Sequence, residues 1–178
     1  NALREMFVVI TNSLHKLDGG TAPLAVLNAF LVKTLRVLGY APSFGACSAC
    51  AKASPLVLQE GGSLFWDSAH AQLVCSDCAQ SAGLRSAVNE LPTEIILLAL
   101  ELQSRPFKEL DAASRDPGAH LALYRLLKGF MHQQIPAIHS GGGMKSLRVI
   151  DDSELVEGLE TPLPLPVVSL DPEPSVLR

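Results

Sequence analysis

Aromatic residues are scarce, at 5% of the 178 residues, and charged residues make up only 18%. A core built from this chain is therefore mostly aliphatic. With 48% apolar residues there is enough material for one, which excludes an intrinsically disordered chain. No aliphatic stretch reaches eighteen residues before a charge or glycine interrupts it, so a membrane-spanning helix is not expected. No secretory signal opens the chain. Its first residue is Asn1 rather than Met, as expected of a processed or trimmed product that has lost an N-terminal domain.

The motifs of catalysis are missing too. There is no HExxH, GxSxG, Walker loop or GxGxxG. Gly141-Gly142-Gly143 is followed by Met-Lys, which does not continue a Walker pattern, so a flexible linker is expected there. None of the five histidines (His15, His70, His120, His132, His139) stands at metal-ligand spacing, and each is expected to be exposed on a helix or loop. No acidic pair is suited to acid–base work, since Asp151-Asp152 opens an acidic tail. These absences point away from an enzyme.

Charge is unevenly distributed. Residues 1–149 hold 13 Lys/Arg against 11 Asp/Glu, whereas residues 150–178 hold one Arg against seven acids. The net charge of -4 therefore belongs to the tail, and the body is mildly basic.

Periodicity predicts a mainly α fold. Leu3, Met6, Phe7, Ile10, Leu14 and Leu17 recur at helical spacing over residues 1–17, and Asp18-Gly19-Gly20 ends that helix. Thr21 is a suitable N-cap for a second helix that runs to Leu38, with Pro23 in its first turn. Its apolar residues go nearly all round, which predicts a central buried helix. Gly39 fits the C′ position, and Pro42 prevents continuation. Further helices are predicted at Ser81–Asn89, Thr93–Gln103 and Asp116–Gln134, and Met144–Ile150 reads as a short ordered segment. The third of these carries a stripe of Leu121, Tyr124, Leu127 and Met131, and its start signal is Asp116-Pro117. In residues 43–80, Pro55–Glu60, Ser63–Trp66 and Gln72–Val74 read as brief strands. Gly61-Gly62 reads as a hairpin turn between the first two.

All four cysteines lie in that segment. Cys47-Ser-Ala-Cys50 and Cys75-Ser-Asp-Cys78 are two C-x2-C pairs with 24 residues between them. Two such turns can bring four thiolates onto one tetrahedral Zn2+ and leave no position for water, so the site is structural. His70 lies between the pairs, but a complete set of four sulfurs makes it redundant. Two disulfides would need an oxidising compartment, and a redox pair would need a βαβ context. An iron–sulfur centre is a further reading, since thiolates accept iron also. Few large apolar residues lie within the insertion, so metal ligation would supply much of its folding free energy.

The expected organisation is a helical bundle (1–42 and 81–150), an inserted four-cysteine zinc ribbon of short strands (43–80), and a disordered, proline-rich acidic tail (151–178). Three basic pairs are candidates for contact with DNA phosphates or a partner: Lys33 with Arg36, Arg125 with Lys128, and Lys145 with Arg148.

The order of these features resembles the bacterial recombination mediator family RecO, downstream of its N-terminal OB-fold. The run Leu38-Gly39-Tyr40-Ala41-Pro42, the two cysteine pairs, the helical stretch and Lys145-Ser146-Leu147-Arg148 carry the resemblance over about residues 1–150. It implies a non-enzymatic, cytoplasmic, nucleoid-associated protein of DNA repair. Such a protein binds single- and double-stranded DNA, anneals strands, and helps load RecA onto DNA coated by single-strand-binding protein. It works with RecR and in many bacteria RecF. It also implies that the acidic-apolar tail of single-strand-binding protein docks on the helical domain, where a basic residue beside an apolar groove is needed. Lys33, Arg36, Arg125 and Lys128 are the candidates. A zinc-ribbon interaction module without DNA binding is the alternative. No OB-like run of strands precedes the first helix, so weaker DNA binding is expected than for an intact member. The acidic tail suits simple solvation, or competition with DNA for the basic face.

Overall fold

The computed structural model describes residues 2–84, 88–107, 109 and 116–135. Met144–Ile150, with Lys145 and Arg148, and the acidic tail lie outside the described residues. Among the described residues, six α-helices and three short strands follow one another: α1 (Ala2–Asp18), α2 (Pro23–Val37), α3 (Ser54–Gln59), β1 (Leu64–Asp67), β2 (Gln72–Cys75), α4 (Ser76–Ser81), β3 (Asn89–Glu90), α5 (Thr93–Ser104) and α6 (Pro117–Gln134). The architecture is mainly helical, with one small sheet beside the cysteines. Among the described residues, no helix is long and apolar enough to cross a membrane.

Helix α2 is the centre of the bundle and packs against α1, α5 and α6. Leu24, Val26, Ala29, Val32 and Leu35 are all buried, as its all-round apolar pattern predicts. Its N-cap is Ala22, not Thr21, and no side chain caps it. At its other end the Gly39 N–H donates to the Arg36 carbonyl and the Tyr40 N–H to the Leu35 carbonyl. This is the Schellman arrangement, and it needs the positive φ of +81° that Gly39 supplies. Helix α6 starts where Asp116 accepts hydrogen bonds from the Gly118 and Ala119 N–H groups at 3.0 and 3.2 Å. Its stripe of Tyr124, Leu127 and Met131 is buried, and Leu121 packs partly against it.

Helix α1 forms as predicted, but most of its apolar stripe is not buried. Leu3, Phe7, Ile10 and Leu14 face outward, with Leu3 89% and Phe7 69% exposed. Val9 and Ser13 supply its buried face instead, and the Ser13 hydroxyl is satisfied by the Val9 carbonyl at 2.8 Å.

The insertion differs from the predicted three-strand run. Pro55–Glu60 is not a strand: it lies in α3 and its C-cap. Pro55 is tolerated in a first helical turn, and the segment buries Ser54 and Val57 at helical spacing. Gly61-Gly62 is accordingly no hairpin turn. The Gly61 N–H donates to Leu58 and the Gly62 N–H to Val57, so the pair ends α3. Positive φ at glycine serves both motifs, which is why the sequence does not separate them. Strands β1 and β2 pair antiparallel with Leu64 opposite Cys75 and Trp66 opposite Leu73. The helix predicted over Ser81–Asn89 is also corrected. Helix α4 ends at Ser81, and Asn89–Glu90 forms β3 against Trp66 and Phe65, giving the order β2-β1-β3.

Sheet and bundle share one core. Trp66 stacks on Phe44 with ring centroids 5.5 Å apart, and its ring lies 6.4 Å from that of Phe130 on α6.

Candidate metal centre

The first cysteine pair sits on a closed loop. Ala46 and Ala53 form an isolated antiparallel bridge, and the Cys47 N–H donates to the Lys52 carbonyl at 2.9 Å. The loop turns back through Ala51, whose N–H donates to the Cys47 carbonyl and whose φ is +59°. A second tie, from the Ser48 N–H to the Leu73 carbonyl, anchors the loop on β2. The second pair is built differently. Cys75 ends β2 and occupies the N-cap position of α4, and Cys78 lies within that helix. A strand-to-helix junction thus faces a tight loop.

The four sulfurs all lie within 4.8 Å of one another. A tetrahedral ion with Zn–S bonds of about 2.3 Å requires sulfurs about 3.8 Å apart. Cys50 and Cys75 meet that spacing, at 3.8 Å. Cys47 and Cys75 are buried, whereas Cys50 is exposed, so the cluster lies at the edge of the core. The donor set fits a single soft cation held entirely by protein. Four thiolates would fill a tetrahedral shell, leaving no place for a reacting water.

The thiols are set far apart in acidity. Burial raises the Cys47 thiol, but N–H groups of Cys75, Cys50 and Ala49 point at its sulfur and bring it down to about 6. The Cys75 N–H lies 3.3 Å from that sulfur. Cys75 is raised, chiefly by burial. Cys78 is pushed up to about 12 because Cys75 and Cys50 crowd its sulfur, with burial adding to the effect. One thiolate forms readily, and like-charge repulsion then opposes the rest. A divalent cation removes that opposition, so its binding expels protons.

The basic candidates are placed unequally. The Lys33 ammonium donates to the Leu102 and Arg105 carbonyls at 3.1 and 2.6 Å and lies over the Phe107 ring. It braces the end of α5 against α2, and burial together with the nearby Arg36 lowers its pKa. Arg36 is exposed. Both line a cleft of about 370 Å³ between α1 and α2, with Arg4, Glu5, Val8, Val9 and Val37. Arg4 was not singled out by sequence pattern, because nothing in the sequence says which face of α1 lies beside Arg36. Arg125 is exposed on α6, Lys128 is partly buried there, and neither lines the cleft.

Among the described histidines one departs from the expected exposure, and His139 lies outside the described residues. His120 is only 3% exposed, and the Asn28 amide of α2 donates to its carbonyl at 2.7 Å and lies 3.2 Å from its Nδ1. His70 is exposed, and its Nδ1 lies 2.7 Å from a carboxylate oxygen of the buried Asp67. It is no part of the sulfur cluster.

A family model described as "Recombination protein O C terminal" matches residues 1–140. The chain belongs to the RecO family. Its relatives include a protein of Streptomyces griseus named "DNA repair protein RecO", 25% identical over 148 residues, which are 83% of this chain and 52% of that protein. A protein of the same name from Streptomyces coelicolor is 35% identical over 75 residues, 42% of this chain and 27% of that protein. A third, from a Nocardioides species, is 32% identical over 75 residues, 42% and 29% of the two chains. The chain thus spans about half the length, or less, of these RecO relatives. No solved structure matches it. Within RecO, the match covers the bundle and the cysteine cluster and stops short of the acidic tail.

Proposed function

We propose that this chain is the helical and metal-binding part of a recombination mediator in DNA repair, and that Cys47, Cys50, Cys75 and Cys78 hold a structural Zn2+. The family match across residues 1–140 carries this proposal. The mediator is not an enzyme. With the rest of a RecO protein it binds single- and double-stranded DNA, anneals complementary strands, and helps RecA onto DNA coated by single-strand-binding protein. RecR is its partner, joined in many bacteria by RecF, and it works in the cytoplasm at the nucleoid. Zinc supplies no reaction here. The cation neutralises the crowded thiolates and locks the loop of Cys47 and Cys50 to the β2–α4 junction. The proposed organisation is a bundle from 1–42 and 81–150, a ribbon over 43–80 and a tail over 151–178, with β3 pairing into the ribbon's sheet.

The basic residues divide the work. Arg125 and Lys128 on α6, with Lys145 and Arg148 further along, are the proposed phosphate contacts. The α1–α2 cleft, where Arg36 stands beside Val8, Val9 and Val37, is the proposed seat of the acidic-apolar tail of single-strand-binding protein. Lys33 contributes its charge to that cleft while bracing α5.

Oligonucleotide affinity of the full-length protein, measured against salt, tests this. Phosphate contacts make affinity fall steeply as salt rises. Arg125→Ala with Lys128→Ala should weaken binding by roughly an order of magnitude and flatten the salt slope by about 2. Salt-independent binding, or none at all, would leave an interaction module without a DNA role.

A further inference from the structure

The α1–α2 cleft has a chemistry that the chain itself can match. Its apolar lining is Val8, Val9 and Val37, and Arg4, Lys33 and Arg36 outnumber Glu5 around it. Arg4 and Arg36 are exposed, and among the described residues neither is paired with a carboxylate. A ligand for such a site is an extended or helical segment that alternates carboxylates with small aliphatic side chains. Residues 151–160 have that composition. Asp151, Asp152, Glu154, Glu157 and Glu160 surround Leu155, Val156 and Leu159, and no basic residue interrupts them.

We propose that residues 151–160 occupy the α1–α2 cleft of their own chain and so mask it from acidic-apolar peptides in trans. The regulatory consequence rests on the cleft being the partner-tail site proposed above, but the contact in cis does not. In that contact Leu155, Val156 and Leu159 would cover the valines, and the flanking carboxylates would meet Arg4 and Arg36. Fifteen residues separate Ile135 from Asp151, a contour of at most about 50 Å. Helix α6 packs on α2, one wall of the cleft. The segment lies beyond the residues that the family model matches.

Tethering makes even a weak contact effective. At an effective concentration of about 1 mM, a segment with an intrinsic Kd of about 100 µM weakens a competing peptide about ten-fold.

The test uses a fluorescent peptide of residues 151–160 and two forms of the full chain. One is unaltered, and the other carries Asp151→Asn, Asp152→Asn, Glu154→Gln, Glu157→Gln and Glu160→Gln. The neutralised chain should bind the peptide about ten-fold more tightly than the unaltered one. Adding Arg4→Gln and Arg36→Gln to it should abolish binding while circular dichroism shows the helices intact. Equal affinity in the two forms, no binding to the neutralised chain at about 1 mM peptide, or indifference to the arginine changes would each overturn the proposal. A C-terminal peptide of single-strand-binding protein is measured in parallel. Its failure on a chain that binds the 151–160 peptide would sink the partner assignment alone.

Discussion

Cys47 and Cys78 stand at about 6 and about 12, on either side of the ordinary thiol value of 9.0, although their sulfurs belong to one cluster. This has a consequence for the metal-free chain. The depressed Cys47 lends stability that is full above the unfolded value and is lost as pH falls through 6. The raised Cys78 does the reverse, stabilising fully below the unfolded value and losing that contribution as pH climbs toward 12. Denaturation in chelator should therefore show greatest stability near pH 9, with a decline on both sides. With metal present, protons compete for the sulfurs, so retention should weaken steadily as the solution is acidified. Cys47→Ser should lower bound metal to well under one ion per chain by elemental analysis. The sulfur cluster was legible because C-x2-C spacing is a local signal. The buried Asn28–His120 contact was not, since it joins residues 92 positions apart. Asn28→Ala should cost about 2 kcal/mol in chemical denaturation, because it leaves the His120 carbonyl without this donor and opens a void.

Elements that carry their own punctuation were readable. Asp116-Pro117 and Leu38-Gly39 encode a helix start and a helix stop in two residues each, and both motifs form. Asp116→Ala should cost about 1 kcal/mol by removing a cap that satisfies two N–H groups. Gly39→Ala should cost about the same, since alanine must take a positive φ there. Thermal melts measure both. Shorter elements were not readable. Strand β3 has two residues and exists because β1 offers it an edge. Helix α3 has a proline in its first turn and two glycines just past its C-cap, a composition that suits a strand and turn equally well. In both cases, tertiary contact decides what local pattern leaves open.

At the scale of the whole molecule, sheet and bundle are parts of one core rather than two bodies joined by a linker. Phe130→Ala should therefore reach the ribbon from α6, costing about 3–5 kcal/mol and weakening metal retention as well. Unaltered metal affinity at that cost would show the two parts to be energetically separate. Periodicity gave the helix of α1 but not its outward face, because apolar residues at helical spacing show that a helix has a stripe but not what covers it. Trp66 ties these parts together. It is the sole tryptophan of the chain, and it is packed between Phe44, at the start of the ribbon, and Phe130 of the bundle. The protein thus carries an intrinsic fluorophore at the seam. Its emission should be blue-shifted in the native state and move to the red once that seam admits water, so one spectrum taken without any label can time the parting of ribbon from helices.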